Sequence, residues 1–193
     1  MFITKRTPPL TVATELAAAG FVQSLSEALR QDVENHLNEG QVIYSTIENG
    51  NFVGMSIFRT MGANDDILYL CGTIFMPEAQ QRGFASQVIR LAQSELGSQY
   101  LALRTQSPRM WRVGQRLCRE WYPDPHREIP PLIRGIGKLV GAEIGSEFPV
   151  TAGYYGGPLY GAKPLHQDPK LQAWWDRVCS FERGDAVLCV GSF

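Results

Sequence analysis

Cysteine and histidine are too few and too scattered in this chain to build a metal centre. Its four cysteines, at positions 71, 118, 179 and 189, form no Cys-x-x-Cys pair and have no histidine at ligand spacing, so a zinc site is not expected and free cytosolic thiols are. Excess charge is missing too. Eighteen basic and nineteen acidic residues leave a net charge of −1, without the basic surplus of a general nucleic-acid binder. Long apolar runs are absent: nothing approaches the roughly eighteen residues that span a bilayer, and residues 1–9 lack the apolar core of a signal peptide. The expectation is a soluble cytoplasmic protein that engages neither membrane nor nucleic acid. Hydrophobic residues do make up 44% of the 193 positions, enough to bury the core of one globular domain over 1–193.

The pattern along the chain alternates between helix and strand. Between 11 and 37, Leu16, Ala19, Val22, Leu25, Leu29, Val33 and Leu37 fall at helical spacing, with Gly20 dividing the run and Gly40 closing it. Segments 41–47 and 52–60 are rich in β-branched and aromatic residues and flank an Asn49-Gly50 hairpin signal, and 67–76 makes a third strand ending at Pro77. A helix over 84–96 stops at Gly97, a strand follows over 100–106, and Ser107-Pro108 reads as N-cap and first residue of another helix. That helix carries Met110, Val113, Gly114, Leu117 and Trp121 on its apolar face and Arg109, Arg112, Arg116 and Arg119 along a second face. Beyond Tyr122, prolines break the pattern and the glycine-studded 132–141 is only weakly helical. A last short helix is expected around Trp174-Trp175 and a closing strand over 186–191.

The segment Phe75-Met76-Pro77-Glu78-Ala79-Gln80-Gln81-Arg82-Gly83-Phe84-Ala85 carries the strongest chemical signal. A strand that feeds a helix through a compact turn leaves backbone N–H groups unpaired where the helix dipole is positive, which suits an anion such as pyrophosphate. Gly83 lets the backbone approach a phosphate, and Arg82 can add a charge-assisted bond. No Gly-Lys-Ser/Thr follows, which argues against a nucleotide P-loop. An ordinary strand–turn–helix is the plain alternative.

The spacing Gln80-x-x-Gly83-x-Ala85 resembles the signature turn of the GNAT (GCN5-related N-acetyltransferase) superfamily. Phe75-x-Pro77-Glu78 matches that family's lead-in, and Ser107-Pro108-Arg109-Met110 resembles the start of its later helix; the likeness spans roughly residues 40–121. It implies an α/β fold with a mixed, mostly antiparallel sheet of six or seven strands flanked by helices, with 122–193 the divergent, acceptor-side half. It further implies acetyl-CoA as co-substrate. Backbone amides from Gln81 through Arg82, Gly83, Phe84 and Ala85 to Ser86 would hold the pyrophosphate, Ile74, Phe75 and Met76 would pair with the pantetheine arm, and Gln80 and Ser107 would lie at the cofactor as well. The activity implied is direct transfer of an acetyl group to a primary amine of a small molecule or peptide in a ternary complex. Neither an oligomeric state nor a longer acyl donor is settled by the sequence, and a homodimer is compatible with it.

Direct transfer needs a base for the amine and an acid for the leaving thiolate. Seven residues past Ser107, where many members of the family have an acidic tyrosine, this chain has Gly114; eleven before Gln80, where the histone-directed members have a glutamate, it has Tyr69. Tyr69 can relay a proton through water or simply pack in a strand. Tyr155 and Tyr160 are reserve candidates for the acid, and Cys118, one turn beyond Gly114, is a thiol within range or an inert core residue. The arginine face can meet a 3′-phosphate, an acidic substrate or only solvent, and Trp174-Trp175 can line an acceptor pocket or fill the core. The missing helix tyrosine keeps open a second function, an acyl-CoA-binding sensor or scaffold without turnover.

Overall fold

Alternating apolar positions and the turn residues between them set an element order of eight strands and six α-helices in the computed structural model, which describes residues 1–193. The chain divides into two compact units, Met1–Thr60 with Tyr69–Gly97 and Met61–Leu68 with Ser98–Phe193. The class is the expected one, α/β with a mostly antiparallel sheet flanked by helices, although the strands number eight rather than six or seven.

The first unit holds β1 (Phe2–Lys5), β2 (Val42–Glu48), β3 (Asn51–Met61) as far as Thr60 and β4 (Ile67–Phe75) from Tyr69 on, in that order. Asn49 and Gly50 both take positive φ, 51° and 83°, as a two-residue hairpin requires, and they bring Glu48 opposite Asn51. β1 is an addition to the expected pattern: it pairs antiparallel with β2 from Phe2 opposite Ile47 to Lys5 opposite Tyr44. Helices α1 (Leu10–Phe21) and α2 (Glu27–Glu39) bury Leu16, Ala17, Leu29 and Val33 together with Met55 and Ile74. Gly20 does not divide the helical run as expected. It lies inside α1, where a Cβ would come within 2.9 Å of the Phe75 carbonyl oxygen and overlap the Ile74 side chain. The break comes two residues later at Val22, whose left-handed backbone ends α1 with Gln23 N–H donating to the Ala18 carbonyl (2.9 Å). Helix α3 (Phe84–Leu96) ends at Gly97, as its sequence implies.

In the second unit, β8 (Ala186–Ser192) is central, with β5 (Tyr100–Thr105) on one side and β6 (Glu120–Tyr122) on the other; β7 (Val150–Thr151) also pairs with it. Burial from Ala186 to Val190 explains its apolar run. Helix α4 (Pro108–Leu117) begins at the expected proline, but Ser107 does not cap it with its side chain; the Ser107 N–H instead donates to Thr105 Oγ1 (2.9 Å). The face turned inward is Pro108, Trp111 and Gly114, so Trp111 rather than Met110 is the buried anchor. The stretch expected to be weakly helical is a full helix, α5 (Pro131–Ile144). Its Gly137 and Gly141 let the Phe148 ring and the Ser146 carbonyl lie against the helix. Helix α6 (Pro169–Val178) starts at Asp168, whose carboxylate accepts from Lys170 N–H (2.9 Å). No helix is long and apolar enough to cross a membrane.

Candidate functional site

The strand–turn–helix of the first unit is built by burial on one side and polar exposure on the other. Ile74 and Phe75 end β4 in the core, and Pro77–Ala79 forms a single 3₁₀ turn. Phe84 then returns the chain to the same apolar cluster of Val53, Phe75 and Ala79, with its ring 6.0 Å from that of Phe75. Between these anchors the backbone bends at Gln81 (φ 60°) and Gly83 (φ 81°). A side chain at 83 would have room but would strain the backbone. The ladder of α3 starts with Gln87 N–H donating to the Gly83 carbonyl (3.2 Å), so the N–H groups of Phe84, Ala85 and Ser86 precede its first rung. No acidic residue stands in that first turn. An anion can therefore meet the helix end without a carboxylate of α3 against it.

Two of the named residues already have structural tasks here. Gln80 Nε2 donates to the Phe75 carbonyl (3.0 Å) and locks the strand end. Met76 is engaged on both main-chain groups: its N–H donates to the Val53 carbonyl (2.9 Å), and its C=O accepts from Ala79 N–H (2.9 Å) and Gln80 N–H (3.1 Å). The Met76 N–H is therefore already spent on β3. Arg82 forms a fork with Glu48, Nη1 to Oε2 at 2.9 Å and Nη2 to Oε1 at 2.7 Å, with its guanidinium 4.9 Å from the Phe84 ring centre. Tyr69 is also in this unit, buried on β4 with the Arg59 guanidinium 5.5 Å from its ring centre.

Ser107, Gly114, Cys118 and Tyr155 belong to the second unit. The segment around Tyr155 is pinned by Asp185, which is 1% exposed and accepts from Arg183 Nε and Nη2 (2.6 and 2.7 Å), Ser180 N–H (2.9 Å) and Gly153 N–H (3.0 Å). Tyr155 N–H donates to the Gly184 carbonyl (2.9 Å). The Arg104 guanidinium stacks 3.8 Å from the Tyr154 ring centre and lies 5.9 Å from that of Tyr155, whose hydroxyl it also hydrogen-bonds. Burial pushes the Tyr155 phenol up, and Arg104 draws it part of the way back. Tyr160 is likewise raised by burial and bonded to Thr105.

The remaining candidates resolve into packing. Trp175 is buried and donates from Nε1 to the Gln106 carbonyl (3.0 Å), and Trp174 packs against Trp111 with the ring centres 5.0 Å apart and the planes tilted by 59°. Arg109 Nε donates to the Leu165 carbonyl (2.8 Å), Arg112 bonds Gln115, and Arg119 lies beyond the end of α4, so the arginine face is not one continuous stripe. Burial raises the Cys118 thiol to about 12, which leaves it protonated and unreactive near neutral pH. Sequence reasoning missed Arg104, Glu48 and Asp185. Their partners lie far along the chain or, for Arg183, amid loop residues without periodicity.

The bonds to Asp185, with Arg183 first, hold its carboxyl at about 2 against an ordinary 3.8. A carboxyl whose folded value lies below its unfolded one adds stability that is fully present above the unfolded value and is lost as pH falls through the folded one. Asp185→Asn is therefore expected to cost about 2 kcal/mol at neutral pH. The gap from the parent protein should close between about pH 4 and pH 2. Urea unfolding across that range checks it; a gap independent of pH would reject the ionised-carboxylate account.

The fold these elements define is shared with solved acetyltransferases. Ribosomal-protein-S18-alanine N-acetyltransferase from Escherichia coli is similar over 99% of this chain and 92% of its own, with a TM-score of 0.59 at 13% identity. IAA acetyltransferase from Bacillus cereus is similar over all of both chains (TM-score 0.56, 10% identity). An acetyltransferase from Bacillus subtilis, solved in complex with CoA, is similar over 99% of this chain and 97% of its own (TM-score 0.56, 11% identity). No protein-family model and no curated protein matches the sequence.

Proposed function

We propose that this chain is an acetyl-CoA-dependent N-acetyltransferase acting on a primary amine of a small molecule or peptide. The observation that carries the reading is the turn 80–86: two left-handed residues deliver three N–H groups ahead of the first helical rung, with no acid in that turn, in a fold shared with an acetyltransferase solved with CoA. The residues present fit the cofactor. N–H groups of Gln81 to Ser86 would hold its pyrophosphate, and main-chain groups of Ile74 and Phe75 its pantetheine arm; acetyl-CoA would supply the acetyl group as an activated thioester. Residues 122–193 carry the acceptor side in this reading.

The chain's own part is orientation and proton handling. Acetyl-CoA would supply the carbon that the acceptor amine attacks as the carbon–sulfur bond breaks, with one proton lost by the amine and one gained by the sulfur; Tyr69 is our candidate for relaying the first through water, and the Tyr155 hydroxyl our candidate for supplying the second. Arg104, bonded to that hydroxyl, stabilises the phenolate until solvent returns the proton. Gly114 removes the family's usual acid from consideration, and this is why Tyr155 takes the role.

Acetyl-CoA at one hundred times its Kd is expected to stabilise the purified protein by about 2.7 kcal/mol, read as a rise in melting temperature. No rise would sink the cofactor assignment. Thiol release with a panel of primary amines then separates enzyme from binding module: turnover above the amine-free blank supports transfer, and binding without turnover favours the acyl-CoA-binding scaffold.

A further inference from the structure

Arg82 is the one side-chain cation in the turn 80–86, yet it already has a partner. Both of its terminal nitrogens bond Glu48, at 2.9 and 2.7 Å, in the two-pronged geometry an arginine also offers to a phosphate. Glu48 ends β2 at the Asn49-Gly50 hairpin, 34 positions away in sequence, and no other side-chain ion pair engages either residue. Both side chains keep access to solvent, 43% for Arg82 and 27% for Glu48, so the fork can open without unpacking the core. Arg82 also sits between the two left-handed residues of the turn, the point at which the backbone changes direction toward the helix end.

We infer that Glu48 is an affinity-setting residue of this site: it holds Arg82 in reserve, and Arg82 exchanges the Glu48 carboxylate for a phosphate oxygen when a pyrophosphate ligand seats. The inference rests on the cofactor reading above. Its chemistry is partner exchange: two charge-assisted bonds to a carboxylate are traded for bonds to a phosphate, and the carboxylate returns to water. Because every binding event must undo the fork, Glu48 lowers affinity for the ligand it stands beside. Neutralising it should free the arginine.

Calorimetric titration with CoA tests this on the full chain and three variants. Glu48→Gln, and Glu48→Ala as a check on the substituted amide, are expected to bind CoA roughly fivefold more tightly than the parent. Arg82→Ala is expected to bind about tenfold more weakly. Dephospho-CoA, which keeps the pyrophosphate and lacks the 3′-phosphate, should show the same gain on Glu48→Gln. Unchanged or weaker CoA binding by both Glu48 variants, with melting temperatures near the parent's, would overturn the exchange; so would unchanged binding by Arg82→Ala. A gain lost with dephospho-CoA would overturn the pyrophosphate as the partner. If the parent itself binds no CoA, the cofactor reading fails instead, and that outcome is separate from the others.

Discussion

Gly114→Tyr is expected to yield no folded protein, and Gly114→Ala to cost about 3 kcal/mol. Position 114 is where the resembled family often has its acidic tyrosine, so the substitution would look like a repair of the site. The packing forbids it. A Cβ at 114 would overlap the indole of Trp121, reaching within 2.6 Å of its Cη2 and closer to two further ring atoms. Trp121 has nowhere to go: it is 1% exposed and sits on β6 opposite Gly191 of β8, where its ring and the Glu120 carbonyl press against the glycine. Even one methyl group must push apart α4 and β6, and a phenol ring would have to displace the whole indole. Urea unfolding of Gly114→Ala and near-ultraviolet circular dichroism of Gly114→Tyr measure the two effects. A Gly114→Tyr protein with the parent's near-ultraviolet spectrum would show that the indole yields, and the tyrosine position would again be open to catalysis.

This glycine also shows where the sequence can be read and where it cannot. The hairpin at Asn49-Gly50, the helix from Phe84 to Gly97 and the closing strand were legible because local chemistry fixes them: left-handed turn residues, helical apolar spacing and a β-branched run. The signature turn was legible for the same reason, since backbone strain at Gly83 and apolar anchors at Phe75 and Phe84 are properties of one short segment. Gly20, Gly137 and Gly141 look like helix breakers in one dimension. Each lies inside a helix because another element presses on it, and that is a fact of packing at a distance. β1 escaped notice because four residues of an edge strand with exposed ends carry almost no periodic signal. The polar clusters were hidden more deeply: Glu48 and Arg82 are joined by hairpin and turn, and Arg104 meets Tyr154 and Tyr155 after fifty intervening residues. Charge pairing across such spans has no one-dimensional signature.

Tyr155→Phe is expected to lower kcat for acetyl transfer by about 10² to 10³ while leaving KM for acetyl-CoA within about twofold, because a proton donor acts in the transition state and not in ground-state binding. The hydroxyl is the only atom removed, and the Tyr154 ring, the Gly184 carbonyl bond and the Asp185 clamp keep the loop in place. The pH profile supplies a readout that a packing role would not move. As the proposed acid, Tyr155 would act only while protonated; burial raises its pKa above the ordinary phenol value and Arg104 offsets part of that, so the parent's kcat should fall only on the alkaline side. That alkaline limb should vanish in Tyr155→Phe. Arg104→Gln, which removes the cation without shortening the chain greatly, should move the limb to higher pH, since less positive charge favours the neutral phenol. Tyr69→Phe serves as the internal comparison: it should leave the limb in place and lower the rate less. If Tyr69→Phe erases the limb and Tyr155→Phe does not, the acid belongs to β4 and not to the loop at Tyr155.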